Sequence, residues 1–115
     1  MDAEEFVDAI RLGVRDAAVE GTLGTLKTPP GRRPSEALVQ RAAWFNSLDK
    51  EQQRLLSEVV LQAVDSAIFG FLCVLDGVRA IENSPEKGTL ELNYVKNGAS
   101  TSLNPLDGPM LHDLW

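Results

Sequence analysis

The sequence is poor in the side chains that build reactive centres. It has one cysteine, one histidine and few aromatics, at 6% of 115 residues. A lone Cys73 excludes a disulfide framework, and the cytosol is the natural expectation for such a chain. Cys73 lies in the apolar run 67–75, where a thiol is expected to pack as a small buried hydrophobe. His112 is expected at a surface or interface; with Asp107 and Asp113 it lacks the second imidazole or thiolate that zinc requires. The glycines fall into no dinucleotide or Walker pattern, and no serine sits in a nucleophile elbow. The sequence therefore implies neither cofactor nor metal, and it is read as a non-enzyme.

Basic excess is also missing. Seventeen acids against eleven bases leave a net charge of −6, so phosphate-backbone binding is not expected. Residues 49–115 hold ten acids and five bases, whereas residues 1–48 hold seven and six. That acidic half suits a basic partner, although solubility alone accounts for it. The longest apolar run has nine residues and the acidic start (Met1-Asp-Ala-Glu-Glu5) is unlike a signal peptide, so a soluble cytoplasmic protein without a membrane span is expected.

What is present is an ordinary globular composition, 43% apolar and 24% charged, in a chain of one-domain size; 1–115 is read as a single domain. Asp2 and Glu5 form a capping-box pattern before a helix expected over about 3–19, with Phe6, Ile10, Val14 and Ala17 inward and Gly21 as its stop. Residues 21–34 read as an ordered loop. Ser35 caps a second helix over about 36–46, with Leu38, Ala42 and Phe45 inward and Trp44 half exposed. Asp49 and Gln52 open a long third helix to residue 83, apolar nearly all round from 63 to 81 and so expected to be largely buried. Thirty-five helical residues would extend about 50 Å. A break near Gly70 or before Asp65 is therefore favoured, with pairing to a second subunit as the other option.

The run 89–95 alternates as a strand, and Asn97-Gly98 is the preferred two-residue turn, which pairs Lys96 with Ala99, Tyr94 with Thr101 and Leu92 with Leu103. The tail 107–115 reads as one or two helical turns folded onto the core. The expected class is α+β: a three-helix assembly with a long central helix, a C-terminal antiparallel β-hairpin and a short terminal helix.

Three groups of side chains are candidates for binding. Asp65, Asp76 and Arg79 fall near one stripe of a straight helix, either as a polar cleft or, with Glu82, as an ordinary ion-pair network at helical spacing. Arg32 and Arg33 precede a helix start, where backbone N–H groups favour anions; a solvated loop is the plainer reading. Trp44 is a candidate contact residue, or else it packs on the 21–34 loop.

The segment Asp65-Ser-Ala-Ile-Phe-Gly-Phe-Leu-Cys-Val-Leu-Asp-Gly-Val-Arg79, the hairpin, and Leu111-His-Asp-Leu-Trp115 resemble small uncharacterised bacterial domains, some of them like immunity proteins of toxin systems. The resemblance covers about the last half of the chain and names no catalytic residues. It implies a bacterial protein that neutralises a toxin or binds another macromolecule. The leading expectation is thus a protein-binding module, its partner another protein such as a basic toxin. A small-molecule site or minor enzyme around Asp65, Asp76 and Arg79 is the alternative, and a homodimer is a further option.

Overall fold

A computed structural model describes residues 1–115. The order is α1 (Ala3–Ile10), a π-helical segment (Arg11–Asp16), α2 (Ala17–Lys27), α3 (Glu36–Ser47), α4 (Lys50–Leu75), β1 (Asn93–Lys96), β2 (Ala99–Ser102) and α5 (Leu111–Leu114). This is the expected α+β class, with a long helix, an antiparallel hairpin and a short closing helix. The chain packs as two compact units: Met1–Gly13 with Ser66–Trp115, and Val14–Asp65.

The capping signals work as read. Asp2 and Glu5 exchange backbone hydrogen bonds, Ser35 accepts from the Leu38 N–H, and Asp49 with Gln52 closes a second box. The first helical stretch, however, passes through Gly21 and continues to Lys27. Its stop is Thr28, held in extended backbone as the residue before Pro29-Pro30 must be. Within that stretch the π segment inserts an extra residue per turn and rotates the downstream face. Val14 and Ala17, expected inward, are consequently exposed.

α4 differs from expectation in three respects. It is unbroken at Asp65 and Gly70, and it ends at Leu75 rather than residue 83. Gly77 adopts a left-handed backbone (φ +76°), its N–H bonds to the Val74 carbonyl, and the Val78 N–H bonds to that of Cys73. That is a Schellman stop, for which glycine is the usual residue. Nor is α4 largely buried: only Gly70, Leu72 and Cys73 are, while Leu55, Val59, Leu61, Phe69 and Phe71 stand in the open. By length and composition alone it is long and apolar enough to cross a membrane.

In the first unit Val7, Leu72 and Leu111 form the core, with Phe6, Ile68, Leu75, Leu92, Leu114 and Trp115 against them. Leu111 is fully enclosed. The hairpin register pairs Tyr94 with Thr101 and Lys96 with Ala99, and the Leu103 N–H bonds to the Leu92 carbonyl, as the turn required. Asn97 (φ 53°) and Gly98 (φ 79°) both take the left-handed values of a type I′ turn. The strand is shorter than expected, beginning at Asn93, and Leu90 is exposed. The second unit buries only Ala42 and Phe45, with α2 packed along α3.

Candidate functional site

The most constrained polar group lies in the first unit, where α4 ends. The Asp76 side chain is only 2% exposed. Its Oδ1 accepts the Leu111 N–H at 3.0 Å, and its Oδ2 accepts the His112 N–H at 2.8 Å. The same Oδ2 lies 2.7 Å from His112 Nδ1. A carboxylate only accepts, so Nδ1 is the donor in this contact. Phe69 meets the His112 ring edge-to-face at 5.9 Å between centroids, and Nε2 lies 3.3 Å from Asp113 Oδ1. Asp76 thus supplies from a distance the N-terminal cap that Met110 cannot give α5. An Asp–His pair is also the rear half of a hydrolytic triad. Here Nε2 faces Asp113 where a hydroxyl or thiol would have to stand, so the pair holds backbone and presents no nucleophile.

His112, expected at a surface or interface, is 17% exposed beside Asp76. No group of three or more His, Cys, Asp or Glu side chains is placed to hold a metal ion.

The other two members of the expected Asp65, Asp76 and Arg79 stripe have different partners. Because α4 stops at Leu75, Arg79 and Glu82 are not helical, and the expected Asp76–Arg79–Glu82 network does not form. The Arg79 guanidinium instead folds back over Gly70, where any side chain would collide with it. Glu82 accepts the Gly88 N–H at 2.9 Å. Arg79, Lys87 and Glu82 rim a cavity of about 260 Å³ whose apolar lining includes Val74, Ile81 and Leu90. It lies in the irregular segment between α4 and β1.

Asp65 belongs to the second unit, where its Oδ1 is 3.6 Å from Arg15 Nη1, and Arg15 Nε also contacts Asp16 at 2.9 Å. The Asp16 hydrogen bond is the main reason the guanidinium is held charged beyond its ordinary range, against desolvation. Arg32 and Arg33 are exposed in the loop before α3, and Gly31 turns that loop at φ +84°. Trp44 is 52% exposed on α3, the half exposure expected of it. The six candidates are thus divided between the units: Asp76 and Arg79 belong to the first, and Arg32, Arg33, Trp44 and Asp65 to the second.

Two ties were not anticipated. The Asn104 side chain accepts the Leu92 N–H and donates to the Leu75 and Leu90 carbonyls, at 2.8 to 2.9 Å. It joins the end of α4, the following segment and the hairpin. Arg11 donates to the Leu114 and Trp115 carbonyls and lies 5.4 Å from the centre of the Trp115 ring. The sequence signal for Asn104 is its place directly after the strand partner of Leu92. Arg11 has no local signal, because its acceptors lie about a hundred residues away.

No family model, no curated protein and no solved structure matches this chain.

Proposed function

We propose that this chain is a protein-binding module, and that its contact surface is the segment between α4 and β1 with the hairpin side of the same unit. The observation that carries this reading is the apolar exposure there: Val78, Ile81 (71%), Leu90, Val95 and the fully exposed Leu106. Ile81 and Leu90 line one cavity rimmed by Arg79, Glu82 and Lys87, and apolar surface rimmed by polar groups is characteristic of interaction sites. A long segment without secondary structure inside a folded unit is commonly a functional loop or a linker, and its ordered hydrogen bonds, such as Gly88 N–H to Glu82, favour the former. Glu82, Glu86, Glu91 and Asp107 interleave with these residues. That pattern and the net charge of −6 suit a basic partner, such as a toxin that an immunity-type protein would neutralise in the cytoplasm.

Affinity purification of the full chain from its own cells, followed by mass spectrometry, tests the reading. One specific protein is expected, and its capture should fall at least about tenfold with Ile81→Asp or Leu106→Asp, changes at exposed positions that leave the fold intact. Recovery of no specific protein refutes the proposal. Gly70→Ala is the sharper probe. A methyl there displaces the Arg79 guanidinium, while helix propensity raises stability by about 0.5–1 kcal/mol. Weakened capture by a chain of equal or greater thermal stability would place Arg79 in the contact.

A further inference from the structure

The cavity of about 260 Å³ at the end of α4 lies wholly within the first unit. Val74 on α4, Ile81 beyond it and Leu90 before β1 give it an apolar wall. Ile81 and Leu90 are both exposed, so part of that wall is uncovered. The Glu82 carboxylate accepts the Gly88 N–H at 2.9 Å and ties the two sides of the segment together. The charged lining is Arg79, Lys87 and Glu82, two cations against one carboxylate. Neither cation forms an ion pair; the arginines that do are Arg11, Arg15 and Arg54. Arg79 is moreover packed in place. A Cβ at Gly70 would collide with its Nη1, so the guanidinium lies against bare helix backbone. Glycine weakens a helix interior relative to alanine. Here a buried glycine inside α4 makes room for a guanidinium that has no carboxylate partner.

We propose that this cavity binds a small monocarboxylate with a short apolar chain. Its carboxylate would pair with Arg79 and Lys87, and its chain would cover Val74, Ile81 and Leu90. The charge selects the class: two cations less Glu82 match one carboxylate and fall short of a phosphate dianion. The planar guanidinium fork suits a carboxylate, which it can bind through two parallel hydrogen bonds. The apolar wall suits a hydrocarbon chain, as in most small-molecule sites. Size limits that chain. A volume of about 260 Å³ holds about eight or nine non-hydrogen atoms at roughly 30 Å³ each. Hexanoate, with six carbons and two oxygens, is of that size.

This ligand goes beyond the protein contact proposed above and does not rest on it, although both use Arg79, Ile81 and Leu90. Titration of the isotope-labelled full chain with sodium hexanoate, followed by NMR, tests it. Saturable shifts are expected at Ile81, Thr89 and Leu90, with a Kd on the order of 1 mM. Hexylammonium, which carries the opposite charge, should bind at least about tenfold more weakly. So should hexanoate to Arg79→Gln or Lys87→Gln, both at exposed positions and each checked for native helicity by circular dichroism. Gly70→Ala, which displaces the guanidinium without removing it, should have the same effect as Arg79→Gln. No saturable shift at about 50 mM hexanoate overturns the proposal. Equal binding of hexanoate and hexylammonium overturns it too, as does unchanged affinity in the two charge variants. A peptide ending in a leucine carboxylate that binds at least about tenfold more tightly than hexanoate also overturns it, and assigns the cavity to a partner's chain terminus. Hexanoate binding by a chain that captures no protein supports this inference and refutes only the function proposed above. Capture of a protein by a chain that does not bind hexanoate overturns this inference alone.

Discussion

At the scale of single residues, Asp76 ties the end of α4 to α5. It closes two backbone donors of α5 and fixes the His112 imidazole, all within an enclosed site. Truncation leaves these part-buried donors without their acceptor. Asp76→Ala should therefore cost about 2–4 kcal/mol, seen as a lower urea midpoint at unchanged slope. Asp76→Asn keeps one acceptor oxygen and should cost about half as much. The sequence singled out Asp76, but for helical neighbours rather than for α5. Periodicity along one helix cannot report a partner 36 positions away. Nor does it mark Arg11 or Asn104, whose acceptors are backbone carbonyls in other elements. Arg79 was legible as an unusual charge in an apolar stretch; that Gly70 makes room for it is a matter of packing.

At the scale of elements, signals that act over three or four residues read through directly. The capping boxes, the Ser35 cap and the hairpin register follow from local stereochemistry, and each stands where the sequence put it. Helix ends were harder. Gly21 reads like a stop but costs a helix only about 1 kcal/mol, so the first helical stretch continues to the prolines. Gly77, followed by apolar Val78, is the true end of α4, and Asp76-Gly77-Val78 carried that signal unweighed. The π segment has no sequence signature, and with it the outward turn of Val14 was invisible.

α4 also begins with an electrostatic device. Arg54 bonds Glu51 and Glu58, and its hydrogen bond holds the Glu51 carboxyl below the usual carboxylate range. Because the folded value is the lowered one, the stabilisation is complete above the unfolded carboxyl's pKa and is lost as pH falls through the folded value. Acid titration followed by circular dichroism should therefore show Glu51→Gln losing less helicity between pH 5 and pH 3 than the parent chain, a window set on the order of ordinary carboxyl pKa values.

At the scale of the whole molecule, composition bounded the outcome well: a folded α+β chain, acidic, without a disulfide framework. It did not reveal how little of the apolar content is covered. Periodicity marks residues fit for burial and says nothing of whether the burying surface belongs to the same chain. This is why a helix read as central and enclosed stands largely open along Leu55, Val59 and Phe71.

The first unit is discontinuous, since Met1–Gly13 completes a core otherwise made by residues 66–115. Val7 needs Leu72 and Leu111, and Arg11 needs the carbonyls of Leu114 and Trp115. Closing so large a loop is entropically expensive and kinetically late. On the ribosome, α2, α3 and the first half of α4 can meet while synthesis continues. Residues 1–13 must wait for residues 111–115, so they are among the last to find their place.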